Sequence, residues 1–196
     1  MMSGDRQVKV LFDERTIAER TESLAREIAR AKPKDLLVVA ILKGSFMFAA
    51  DLLRALHRVG LEPQVEFFHL SSYVTGTVSS GTVKILRDIE SSVRNRDVLL
   101  VDDILESGRT LAFAKDLLVA RGARRVLVCT MLEKPGKRVV EIGADFVGFA
   151  CPDVFVVGYG MDVAHSYREL PFIGRVVTAQ DASEVEAVIP ETATRV

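Results

Sequence analysis

The chain has 196 residues, a formal net charge of -1 at pH 7 and a hydrophobic fraction of 48%, a composition typical of one globular domain with an ordinary core. A nearly neutral chain does not attract polyanions over long distances, so we expect no nucleic-acid partner, and an anionic ligand must be bound by local groups. The longest apolar run, 36–42, is far shorter than the roughly 18 residues of a membrane span, so no membrane association is expected.

The N-terminal segment and the two cysteines favour a cytoplasmic protein. Residues 1–12 carry early charges and lack an apolar segment followed by a small-residue cleavage site, so we expect no signal peptide. Cys129 and Cys151 stand in apolar surroundings without a pairing pattern and are interpreted as unpaired core residues.

The first half of the chain predicts a helix, a strand and a second helix. Thr16 and Glu19 resemble a capping box, and apolar residues then recur at helical spacing, which predicts a helix over about 16–31. The run "DLLVVAIL" (35–42) is continuously apolar and rich in β-branched residues, as in a parallel strand covered on both faces. After "KGS", residues 46–60 form an amphipathic helix that ends at a glycine.

The second half repeats this alternation. Strands are predicted at 64–70, 83–86, 97–103, 124–132, 145–150 and 153–160, a polar and mobile loop at 71–82, and a helix at 108–122. Alternating apolar strands and helices predict a single-domain α/β fold, with a mostly parallel central sheet and helices on both faces. Ligands of such sheets bind beyond the carboxyl ends of the strands.

The stretch "VLLVDDILESGRTL" (98–111) lies at that edge and places several acidic residues close together, just before the predicted helix. Neighbouring strand residues point to opposite faces, so Asp102 and Asp103 can bind one ligand only if the strand ends there and the chain turns. The helix that follows begins with glycine and hydroxyl residues, and its first N-H groups favour a phosphate. A phosphorylated sugar with Mg²⁺ fits both features. The alternative is that the aspartates cap the helix and face water.

The same stretch is similar to the phosphoribosyl-diphosphate binding motif of type I phosphoribosyltransferases. Three further segments resemble their counterparts in the hypoxanthine-guanine phosphoribosyltransferases in order and spacing: "AILKGSFMFAADLL", "LEKPGKR" and "DFVGFACPDVFVVGYGMDVAHSYRELPFIG". Together with "SSY" in the loop, the resemblance covers most of residues 8–180.

The resemblance implies a reaction and an architecture. Ribose 5-phosphate would pass from 5-phosphoribosyl 1-diphosphate to N9 of a 6-oxopurine, hypoxanthine or guanine, in the presence of Mg²⁺. A core of about 16–150 would carry a small hood from about 1–15 and 151–180, with a loosely held tail at 181–196. Relatives are homodimers or homotetramers, and the same is expected here.

The resemblance also assigns residues to each part of the substrates. The ribose 5-phosphate would be bound by Asp102, Asp103, Ser107, Gly108, Arg109 and Thr110, and the diphosphate by Lys43, Gly44 and Arg168. The diphosphate loop of relatives often contains a cis peptide bond, for which Leu42-Lys43 is the candidate here. The purine would be bound by Lys134, Phe155, Val156 and Asp162, Mg²⁺ by Asp102, Asp103 and Asp162, and Ser72 and Tyr73 would belong to a loop that closes over the site.

Two of these assignments carry specific chemistry. Lys134 offers only donors, so it favours a purine 6-oxo group over the 6-amino group of adenine. Glu106 stands where most relatives have an aspartate that handles the proton on purine N7, and its extra methylene displaces the carboxylate; we expect that it keeps the catalytic role.

Other classes of protein fit less well. A regulatory protein that senses nucleotides on the same core would need a basic face or an added recognition helix, which neither the charge balance nor the length indicates. A dinucleotide-binding oxidoreductase would need a G-x-G-x-x-G fingerprint, which the sequence lacks.

Overall fold

The computed structural model describes the backbone of residues 7–75 and 78–177 and the side chains of 7–71 and 83–177. The expectations for the tail at 181–196 and for the side chains of Ser72 and Tyr73 therefore lie outside the described residues. In chain order, the elements are β1 (Gln7–Phe12), α1 (Glu14–Arg30), β2 (Leu37–Leu42), α2 (Phe46–Arg58), β3 (Gln64–Thr75), β4 (Val78–Arg87), β5 (Asp97–Leu105), α3 (Arg109–Ala120), β6 (Arg125–Glu133), β7 (Phe146–Ala150), β8 (Val156–Val157) and β9 (Ile173–Val177).

Six strands form the central sheet in the order β4-β3-β2-β5-β6-β7. All neighbours in this sheet run parallel except β3 and β4, which are antiparallel. The prediction of a mostly parallel sheet is confirmed.

The sheet separates two apolar cores because successive strand residues point to opposite faces. Val38 and Leu99 pack with buried residues of α1 and α2 on one face, whereas Val39 and Leu100 pack with buried residues of α3 on the other. The helices therefore cover both faces, as predicted.

The strand order changes direction between β2 and β5. The chain passes from β2 to β3 on one side and later returns to place β5 on the other side of β2. The carboxyl ends of β2 and β5 thus meet at a topological switch point, which is where open α/β sheets bind ligands.

A second, antiparallel sheet combines the two ends of the described chain. Its order is β1-β9-β8, so strands near the N-terminus and the C-terminus pair directly. The expected hood from about 1–15 and 151–180 stays a prediction.

The start of the first helix differs from its prediction. α1 begins at Glu14, and the side chain of Asp13 accepts a hydrogen bond of 2.7 Å from the N-H of Thr16. The predicted capping box at Thr16 and Glu19 is wrong, because an aspartate three residues before the predicted start of the helix already satisfies this amide.

Two other predictions of local structure need correction. Much of the predicted loop at 71–82 belongs to the β3-β4 hairpin, since its Thr, Tyr and Val residues also have strand propensity. The predicted strand at 153–160 shortens to Val156–Val157, because Gly158, Tyr159 and Gly160 adopt positive φ angles that end an extended segment.

Among residues 7–75 and 78–177, no helix is long and apolar enough to cross a membrane. Cys129 and Cys151 are buried and free, which confirms their interpretation as unpaired core residues.

Candidate active site

Asp102 and Asp103 lie near the carboxyl end of β5, at the switch point. The strand does not end at Asp103 as predicted but continues to Leu105, and both carboxylates nevertheless line one cavity of about 270 Å³. The N-H of Asp103 donates to Oδ1 of Asp102 at 3.0 Å, and this hydrogen bond holds the carboxylate of Asp102 against the backbone of Asp103. Burial, reinforced by the charge of Asp103, raises the pKa of Asp102 well above its usual value. Burial also raises the pKa of Asp103.

The turn after β5 leads directly into α3. Gly108 is the N-cap of this helix and adopts a φ of 82°, a left-handed conformation that favours glycine. A larger residue at this position would also clash, because its Cβ would lie 2.6 Å from Cγ2 of Ile142. Gly108 provides no side-chain cap, and Oγ of Ser107 accepts only a long hydrogen bond of 3.5 Å from the N-H of Arg109. A ligand anion can therefore accept hydrogen bonds from the N-H groups of the first turn.

The loop after β2 approaches Asp103 closely. The Leu42-Lys43 peptide bond, the candidate that the resemblance named, is cis. A Cβ on Gly44 would lie 1.7 Å from Oδ2 of Asp103, so only glycine allows the backbone to pass the carboxylate. The next side chain turns away, because Oγ of the buried Ser45 donates to the carbonyl of Ile41 at 2.5 Å.

A larger cavity of about 780 Å³ adjoins the first and shares Gly44, Asp103 and Glu106 with it. Lys134 lines this cavity with only 7% of its surface exposed. Its Nζ atom lies 3.4 Å from Oε1 of Glu106. Phe155 also lines the cavity and is 57% exposed, so its ring offers an apolar face to a planar ligand.

Asp162 and Arg168 form an ion pair and also line the larger cavity. Nη2 of Arg168 lies 2.6 Å from Oδ1 of Asp162, and Nη1 donates to the carbonyl of Gly160 at 2.6 Å. The other oxygen of Asp162 accepts from the N-H of His165 at 2.8 Å. Both carboxylate oxygens of Asp162 therefore have partners within the chain.

Most of the residues assigned from sequence line these two adjoining cavities. They are Lys43, Gly44, Asp102, Asp103, Glu106, Ser107, Gly108, Thr110, Lys134, Phe155, Val156, Asp162 and Arg168. Arg109 is not among the described residues that line either cavity. The backbone of Ser72 and Tyr73 lies in β3.

Sequence reasoning missed several lining residues, including Leu70, Ile104 and Met161. They are ordinary apolar residues whose type indicates no binding role. Ile104 and Met161 lie within the segments quoted above, whereas only the packing of separate elements brings Leu70 to the cleft. His165, interpreted from sequence as a structural or surface residue, also lines the larger cavity.

The carboxylate pair fits a hard divalent cation such as Mg²⁺. Two adjacent oxygen ligands with raised pKa values lose their mutual repulsion when such a cation binds. Among the described residues, no group of three or more acidic, histidine or cysteine side chains could hold a metal. Oxygen atoms of substrate and water would therefore complete the coordination, as is usual for Mg²⁺.

A parallel α/β sheet with a carboxylate pair and a glycine-containing helix start at its switch point is typical of proteins that bind phosphorylated sugars or nucleotides. The model of the phosphoribosyl transferase domain matches residues 7–164. A hypoxanthine phosphoribosyltransferase of Buchnera aphidicola is 42% identical over 173 residues, which are 87% of this chain and 96% of that protein. The chain belongs to the phosphoribosyltransferase family.

Solved structures show the same relationship. A hypoxanthine phosphoribosyltransferase of Staphylococcus aureus superposes with a TM-score of 0.82 at 38% identity, covering 90% of this chain and 97% of that one. A hypoxanthine-guanine phosphoribosyltransferase of Bacillus anthracis gives 0.81 at 41% identity, covering 87% and 100%.

Proposed function

We propose that the chain transfers ribose 5-phosphate from 5-phosphoribosyl 1-diphosphate to N9 of hypoxanthine or guanine, in purine salvage. The products are the purine nucleotide and diphosphate. One observation carries the proposal: the carboxylate pair and the glycine-containing start of α3 share a cleft with a buried lysine and an exposed aromatic ring. The names of the similar proteins support the same activity.

The smaller cavity binds the sugar phosphate. Asp102 and Asp103 accept hydrogen bonds from the ribose hydroxyls, and the N-H groups at the start of α3 bind the 5-phosphate. The same two carboxylates would hold Mg²⁺, which would offset the negative charge of the diphosphate. Lys43, the backbone of Gly44 and Arg168 bind the diphosphate as it leaves.

The larger cavity binds the purine. Lys134 donates to the 6-oxo group, and Phe155 packs on the ring face. The bond from N9 to the anomeric carbon forms while the bond from that carbon to diphosphate breaks, and Glu106 accepts the proton that purine N7 gives up. The role expected for Ser72 and Tyr73, to close over the reacting centre and exclude water, stays a prediction.

An absorbance assay with Mg²⁺ and phosphoribosyl diphosphate tests the proposal when hypoxanthine, guanine, xanthine and adenine are offered in turn. We expect turnover of at least one 6-oxopurine and none of adenine. Turnover of adenine alone would contradict the role of Lys134, and turnover of no base would favour a nucleotide-sensing protein. The expected homodimer or homotetramer stays a prediction, which light scattering of the purified protein would test.

A further inference from the structure

Arg138 holds the turn between β5 and α3 from outside the two cavities. Its Nη1 atom donates to the carbonyl of Leu105 at 2.9 Å and to that of Glu106 at 2.6 Å. Its Nη2 atom donates to Oε1 of Glu133 at 2.5 Å, and Nε donates to the carbonyl of Ile142 at 3.2 Å. One guanidinium therefore ties the end of β6 to the backbone of the turn.

Backbone groups of the same segment complete the contact. The N-H groups of Val139 and Val140 donate to the carbonyl of Ser107 at 3.0 and 3.2 Å, and the N-H of Lys134 donates to that of Leu105 at 3.0 Å. Three consecutive carbonyls, those of residues 105–107, thus accept hydrogen bonds from residues 134–140.

These contacts also determine the direction in which the amide N-H groups of the turn point. In a trans peptide the C=O and N-H groups point in opposite directions, and the only cis bond in the described part of the chain is Leu42-Lys43. Since the three carbonyls face residues 134–140, the N-H groups of Glu106, Ser107 and Gly108 face the other way. Those three residues line the cavity of about 270 Å³.

We infer that Arg138 is a positioning residue that orients these amide groups toward the 5-phosphate. This inference rests on the proposed function and adds to it a residue that does not itself line the phosphate cavity. Without the guanidinium, the carbonyl of Leu105 keeps its hydrogen bond from the N-H of Lys134, but the carbonyl of Glu106 loses the hydrogen bond from Arg138. The peptide group between Glu106 and Ser107 can then rotate, and its N-H no longer converges with its neighbours on one anion.

An arginine suits this position better than a lysine. The planar guanidinium group donates in several fixed directions and can reach two carbonyls of the turn and a carboxylate at once. The ammonium group of lysine is a single charge at the end of a flexible chain. Lysine at position 138 should therefore restore part of the effect, and an uncharged residue none.

The test compares Arg138→Met, Arg138→Lys and the control Arg26→Met, which changes an exposed arginine on α1. We expect Arg138→Met to raise KM for phosphoribosyl diphosphate by about 10- to 100-fold, with a much smaller change in KM for hypoxanthine. Arg138→Lys should fall between this variant and the wild type, and Arg26→Met should match the wild type. Equal changes in both KM values, or no change, would overturn the inference.

Calorimetric binding of inosine 5'-monophosphate and of inosine separates this inference from the proposed function. If the wild-type protein turns over no base, the proposed function fails, but a selective loss of monophosphate affinity in Arg138→Met would still support the inference. Should that variant fail to fold, Arg138→Lys and Glu133→Gln provide the same comparison. Unchanged monophosphate affinity in both folded variants would overturn the inference.

Discussion

The Nζ atom of Lys134 lies 3.4 Å from Oε1 of Glu106, and this ion pair joins the end of β6 to the turn after β5. The lysine is almost fully buried, whereas the glutamate side chain is 46% exposed. A purine that binds beside Lys134 therefore meets a donor and a carboxylate that already face each other. In the proposed reaction the same two groups contact neighbouring atoms of the purine edge, the 6-oxo oxygen and N7.

Replacing Lys134 by methionine should weaken the reaction with 6-oxopurines. The variant keeps a long apolar side chain but removes the charged donor, and a hydrogen bond to a charged group contributes about 1.5 to 3 kcal/mol. We expect kcat/KM for hypoxanthine to fall about 10- to 100-fold in steady-state assays. Lys137→Met is the matched control, because Lys137 lies in the same segment and forms an exposed ion pair with Asp153; an equal loss in that variant would contradict the assignment.

Replacing Glu106 by glutamine should lower kcat. The amide preserves the size of the side chain and can still accept a hydrogen bond from Lys134, but it cannot take up a proton at neutral pH. We expect kcat to fall by about tenfold or more. Glu106→Asp, which keeps the carboxylate and shortens it by one methylene, should retain more activity than Glu106→Gln. The reverse order would show that the carboxylate is not the proton acceptor.

Replacing Gly44 by alanine should displace Asp103. The new Cβ would lie 1.7 Å from Oδ2 of that carboxylate, so either the loop after β2 or the carboxylate must move. A misplacement of about 1 Å near the reacting atoms can cost about 100-fold in rate, and the Mg²⁺ concentration needed for half-maximal activity should rise. A Gly143→Ala variant should behave like the wild type, since nothing lies within 4 Å of its added Cβ. Wild-type kinetics in Gly44→Ala would contradict this account.

The features that sequence predicted are those encoded by consecutive residues. The apolar strand, the acidic pair and the glycine-containing helix start all lie within 98–111, so their order already implies a ligand site at the end of β5. The class of the sheet could be predicted for the same reason, because the order of apolar and amphipathic segments determines which helices can cover which strands.

Features that depend on distant contacts could not be predicted in this way. Arg138 donates to carbonyls of residues 105 and 106, more than thirty positions earlier in the chain, and no local pattern indicates that partner. Similarly, the hairpin of β3 and β4 forms from Ser- and Thr-rich segments whose composition also suits a loop. In both cases the pairing, and not the local propensity, determines the structure.

The last prediction concerns Asp97, at the amino end of β5 and therefore at the opposite end of the strand from the site. Its side chain is fully buried and accepts hydrogen bonds from the N-H of Lys34 at 2.9 Å and from Arg125 at 2.8 Å, with Arg124 as a further partner. Burial alone would raise the pKa of Asp97, but the hydrogen bond from Lys34 and the two arginines outweigh it and hold the pKa below its usual value.

Because the pKa of Asp97 is lower in the folded than in the unfolded chain, its ionised form stabilises the fold at neutral pH. This contribution is complete above the unfolded pKa of about 4 and is lost as the pH falls through the folded pKa. Asp97→Asn should lower the free energy of unfolding at pH 7 by about 3 kcal/mol, or roughly 6 to 12 °C in Tm, and should weaken the decline in stability toward acid pH. Thermal unfolding from pH 3 to 7 measures both effects.

The control Asp116→Asn changes an exposed aspartate on α3 and should leave both unchanged. Because the substitution leaves the carboxyl end of β5 unaltered, kcat well below Tm should stay at the wild-type value, and a lower kcat would mean that the buried ion pairs also position the site.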